Sequence, residues 1–106
     1  MLAIRTSSDP ITAARVTADL HGLPTGRLIA RDTAAHIFTA DVYELRAWIN
    51  ALGGFVTRQR AGGAVTLWTL HTHTEPRSDG STTAVLVHAL SLADEDIHPD
   101  ITEAVA

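Results

Sequence analysis

Residues 55–75 read FVTRQRAGGAVTLWTLHTHTE, and the pairing of the two halves of this stretch decides the fold. Two β-rich runs flank Gly62 and Gly63. A glycine pair between such runs marks a two-residue hairpin turn, where both central residues need positive φ. With the tip at Gly62 and Gly63, Ala61 pairs with Ala64. Phe55 then opposes Leu70, Thr57 opposes Trp68, Arg58 opposes Leu67 and Arg60 opposes Val65. Side chains alternate across a strand. One face is expected to carry Phe55, Trp68 and Leu70 and to pack on helices. The other is expected to carry Arg58, Arg60, His71, His73 and Glu75, with Val56, Val65 and Leu67 among them.

Working outward, PRSDGS forms a second turn and TTAVLVHALSL a further strand. If His71 pairs with His88, then His73 pairs with Leu86, and Val85, Val87 and Ala89 join the apolar face. A slip of one residue would turn His88 inward. The more apolar core favours the first register, which puts His71, His73 and His88 on one outer face. Three neutral imidazoles, with Glu75 near them, are the donor set for zinc or another divalent ion. An exposed Thr/His strand accounts for the same residues without a metal. The His-x-His pair does not follow the cupin pattern, because Glu75 comes only two residues after His73 and no second motif follows.

Upstream, SSDPITAARVTADLHGLP predicts a helix. Asp9 caps it, Pro10 takes the first helical position and Gly22 ends it in a left-handed conformation. Ala13, Val16 and Leu20 are its expected apolar stripe. Residues 28–30 and Ala34–Phe38 read as strands, and residues 1–5 as another. TADVYELRAWINALGG is the second helix, with Val42, Leu45, Ile49 and Leu52 on one face, Tyr43 and Trp48 flanking them and Gly53 ending it. The tail, ADEDIHPDITEAVA, is acidic and reads as loosely ordered or as a short terminal helix. The expected order is β-α-β-β-α-β-β-β: one α+β domain over residues 1–106, a two-layer sandwich with a mostly antiparallel sheet and two helices on one face. Residues 93–106 form its acidic tail.

Composition narrows the function. The chain has 106 residues, no cysteine and a net charge of −4. Disulfides, thiolate metal sites and a cysteine nucleophile are therefore excluded. The acidic balance disfavours a non-specific nucleic-acid binder. Every cation besides the histidines is arginine. No apolar run approaches the ~18 residues of a membrane span, and the first residues lack the pattern of a secretory signal, so a cytoplasmic protein without membrane association is expected. No P-loop, dinucleotide fingerprint or nucleophile elbow occurs.

Three readings follow. The leading one, reached by elimination, is a small non-enzymatic protein that binds another protein or a second copy of itself; Trp48 and Tyr43 are expected to complete the core, the alternative being an aromatic anchor at an interface. The second is a nucleic-acid binder using Arg58 and Arg60 at the hairpin tip. The third is a metal-binding module or metalloenzyme using His71, His73 and His88.

Overall fold

A computed structural model describes residues 9–92 and 95–106; the strand expected over residues 1–5 lies outside them. Helix α1 (Pro10–His21) starts where the sequence places it. Asp9 accepts the Ile11 amide at 3.1 Å and the Thr12 hydroxyl at 2.9 Å. Gly22, at φ 64°, closes the helix, and the Leu23 amide donates back to the Ala18 carbonyl at 2.8 Å. Strands β1 (Arg27–Arg31) and β2 (Ala34–Phe38) form a tight hairpin. Its corner is Asp32 and Thr33, both at positive φ (53° and 64°). Helix α2 (Val42–Leu52) is capped by Asp41, which accepts the Glu44 amide at 3.1 Å, while the Glu44 carboxylate accepts the Ala40 amide at 2.9 Å.

Strands β3 (Phe55–Gly62), β4 (Val65–His73) and β5 (Ala84–Leu92) complete one five-stranded sheet of order β1-β2-β5-β4-β3. The architecture is α+β and two-layered, as expected. Three of the four strand pairings are antiparallel. The fourth, β2 with β5, is parallel, so the sheet is not a simple meander. The long-range pairing places β5 at the centre, a feature no local signal reveals.

The core lies between one sheet face and the helices. Ala35, Ile37, Val56, Trp68, Leu70, Val85, Val87 and Ala89 meet Ala14 and Ala18 of α1 and Val42, Leu45 and Trp48 of α2. Trp48 is fully buried and donates its indole N–H to the Pro24 carbonyl at 2.8 Å, so its one polar atom is satisfied. Tyr43, its expected companion, is exposed. Helix α1 corrects the stripe read from sequence: it buries Ala14, Thr17 and Ala18 and leaves Val16 and Leu20 exposed. Small residues let the helix approach the sheet closely, and the larger pair points away.

Residues Pro99–Thr102 form helix α3, whose Ile101 is buried in the core. Arg46 of α2 donates to Asp100 at 2.8 Å. That hydrogen bond holds the Asp100 carboxyl below its usual range, with His98 contributing more weakly. Beyond α3 the chain docks on the outer edge of β3: the Val56 amide donates to Ala104 at 2.8 Å and the Ala106 amide to Val56 at 3.0 Å. At Val56 an edge amide and carbonyl that would otherwise be free are thereby paired.

Candidate functional site

The hairpin register differs from the sequence reading by one residue. Gly62 pairs with Val65, and the ladder shifts between Arg60 and Gly62, leaving Ala61 as a bulge. Phe55 therefore opposes His71, Val56 opposes Leu70 and Arg58 opposes Trp68. The bulge reverses the faces of β3: Val56 enters the core, and Phe55, Thr57 and Gln59 face outward. Arg58 and Arg60 consequently lie on the helix side, not beside the histidines. The Arg58 guanidinium sits 5.8 Å from the Trp68 ring, a cation–π contact. It lines a hollow of about 390 Å³ together with Glu95 and Asp96.

The β4–β5 register is displaced by two residues from the expected one: His88 pairs with Thr69, and His71 with Leu86. An even displacement keeps the faces. His71, His73 and His88 all sit on the outer side, and Val85, Val87 and Ala89 are in the core, as the sequence implied. The three histidines do not converge. His73 is exposed at the sheet's end opposite Ala84. His71 stacks on Phe55, ring centroids 4.6 Å apart, and its Nε2 lies 3.0 Å from the Thr57 hydroxyl.

The partner of His88 is His36, which sequence reasoning missed. The parallel pairing sets Phe38 beside His88 and His36 beside Leu86. His36 Nδ1 and His88 Nε2 are 2.9 Å apart, and His88 Nδ1 is 3.0 Å from the Thr69 hydroxyl. The two imidazole planes differ by 6°, with centroids 5.2 Å apart. That separation is the N···N distance plus the two ring radii, so the rings lie end to end in one plane. Their facing nitrogens share one proton in a straight hydrogen bond. An ion ~2.0–2.1 Å from each nitrogen needs lone pairs that converge on it; here they oppose each other. Among the described residues no three His, Asp or Glu side chains form a metal-holding group.

Burial, then the nearness of His36 and His71, holds His88 below the ordinary imidazole pKa. This favours its neutral form, and both of its ring nitrogens are hydrogen-bonded, one to Thr69 and one to His36. A hydroxyl–imidazole–imidazole chain has the connectivity of an activated nucleophile. Yet Thr69 is buried on β4, an interior strand paired on both sides, whose amides are engaged in the sheet rather than free to receive an oxyanion.

The setting of these imidazoles distinguishes the face. All three described helices join the core on the opposite side of the sheet. Phe38, Phe55, Leu90 and Leu92, four of the seven large exposed hydrophobic residues among those described, stand on the open side. Ile29, Val65, Leu67 and Leu86 are half-buried among them. A shallow apolar recess of about 290 Å³ lies beside His88, between Phe38, Leu67 and Leu90. None of the five strands contains an Asp or Glu, and among the described residues the only charged side chains these strands place on this face are Arg27 and Arg31, at the β1 edge. An alternation of leucines and histidines along β5 could have flagged the face, once β5 was known to be central. No protein-family model, curated protein or solved structure gives a significant match to the chain.

Proposed function

We propose that this is a binding protein that works through the open face of its sheet, by contact with another protein surface. One observation carries the reading: a face rich in apolar and aromatic side chains, with no carboxylate among the described residues of its strands, lies opposite the helix-covered side. Contiguous exposed apolar surface beyond a few hundred Å² marks interaction sites in soluble proteins. Leucines and phenylalanines offer area at little desolvation cost, and His88 among them has both ring nitrogens already hydrogen-bonded.

The test compares three baits in extracts of the source cells: the wild-type chain, Leu90→Asp on the open face, and Val16→Asp on the exposed side of α1. A protein retained by wild type and by Val16→Asp, and lost with Leu90→Asp, supports the reading. Identical capture by all three baits, or loss only with Val16→Asp, refutes it.

A further inference from the structure

We infer that the occupant of the open face is a second copy of this chain, packed sheet to sheet about a two-fold axis along β5. The inference rests on the binding role proposed above and names the partner. Three features argue for a self-match.

Sheet order comes first. β5 is the middle strand, with two strands on either side. A two-fold axis along it lays β1 over the second copy's β3, and β2 over its β4. Arg27 and Arg31 then rest against the edge bearing Phe55, Thr57 and Gln59 instead of meeting each other. Any axis across the strands would oppose β1 to β1 and bring the arginines together. Along the axis Leu86 meets Leu86, His88 meets His88 and Leu90 meets Leu90, all uncharged.

Area is the second feature. Five strands spaced ~4.8 Å apart, rising ~3.3 Å per residue, give a face on the order of 600 Å². Two copies then bury about 1,200 Å², the lower bound for a stable specific interface. Chemistry is the third. Isologous packing needs a surface complementary to itself, and a largely aliphatic face whose described residues include no carboxylate satisfies that, with its two arginines at the rim rather than the centre. The same face, with Phe38 and Phe55 exposed, has the makings of a base-stacking platform for single-stranded nucleic acid. Its cations stand at one edge only, and its centre is leucine, which favours protein.

The experiment is sedimentation velocity on the wild-type chain from about 1 µM to about 100 µM, a range that brackets modest affinities. The expected result is a shift from 11.3 kDa to twice that mass. The shift is abolished in Leu90→Asp and unchanged in Val16→Asp. Leu90 is 58% exposed, so the substitution is expected to leave the fold intact, and circular dichroism of the variant checks this. Because the chain lacks cysteine, Leu90→Cys supplies a unique thiol. Packed sheets are ~10 Å apart, beyond direct disulfide reach, so a short bismaleimide is used. It should link Leu90→Cys chains and leave Leu20→Cys chains unlinked.

A wild-type chain that stays monomeric throughout overturns the inference. If Leu90→Asp alone still loses a cellular partner, the binding role stands and only the self-match falls. A dimer lost in Val16→Asp and kept in Leu90→Asp also overturns it. So does salt-sensitive binding of a labelled oligo-dT or oligo-U strand that is lost on Phe38→Ala in a monomeric chain.

Discussion

Replacing each of two adjacent residues with aspartate decides which face of β3 is buried. Val56 is fully buried and Phe55 is 47% exposed. Val56→Asp removes a buried side chain worth about 1.5–3 kcal/mol. It also forces a carboxyl into the core, where desolvation raises its pKa by up to about 3–5 units. An unfolded carboxyl ionises at about pH 3.9, so holding it protonated in the fold at neutral pH costs about 3 units at about 1.4 kcal/mol each, or about 4 kcal/mol. The sum is comparable to the whole stability of a small domain, about 5–15 kcal/mol, so Val56→Asp should be largely unfolded. Phe55→Asp gives up only the buried half of its ring and the stack on His71, together about 1–2 kcal/mol. Urea unfolding followed by circular dichroism reads both values. It should be run in dilute solution, because association through the same face would add concentration-dependent stability. If Phe55→Asp unfolds the chain and Val56→Asp is tolerated, the register with Ala61 bulged is wrong, and the assignment of the open face fails with it.

Three further outcomes follow from particular contacts. The β1–β2 corner holds Asp32 and Thr33 at positive φ, where a β-branched residue is strained. Asp32→Asn with Thr33→Gly, the preferred pair for such a turn, should raise the melting midpoint by roughly 4 °C or more, for about 1 kcal/mol gained; an unchanged or lower midpoint contradicts the strain. His88 has its pKa lowered in the fold, so below pH ~6.5 the unfolded chain takes up a proton that the native chain refuses. Stability from this group is complete above that pH and declines as the pH falls toward the folded value. His88→Phe should flatten the slope between about pH 7.5 and about pH 5.5, and an identical slope in the variant would contradict the assignment. Because the nitrogens of His36 and His88 face each other, zinc, nickel and manganese should leave the melting midpoint where a chelator leaves it. A metal at ~100 times its dissociation constant would add about 2.7 kcal/mol, a rise of roughly 10 °C or more. Such a rise, lost in His71→Ala, would reinstate the metal reading.

Much of the scaffold was legible because its signals are local. Asp9, Pro10 and Gly22 bound α1, Gly53 ends α2, and Gly62 and Gly63 sit at a hairpin. The apolar parity of Val85, Val87 and Ala89 fixed which side of β5 is buried, and hence that His88 faces out. What failed depended on single-residue insertions or distant partners. A bulge at Ala61 exchanges the faces of β3, and composition near the turn does not announce it. His36 meets His88 across 52 residues of sequence through a parallel pairing. On α1, ranking side chains by hydrophobicity favoured Val16 and Leu20. Close approach of the helix favoured Ala14 and Ala18 instead, and a groove of about 340 Å³ beside Pro76 is the result.

The most direct test of the account is a dilution series followed by nuclear magnetic resonance of the methyl and imidazole protons, from the concentrated chain to well below its self-association. The account predicts concentration-dependent shifts for Leu67, Leu86, Leu90 and the ring of His88, with Val16 and Leu20 unmoved. Shifts centred on Val16 and Leu20, or spectra that do not change on dilution, would contradict it.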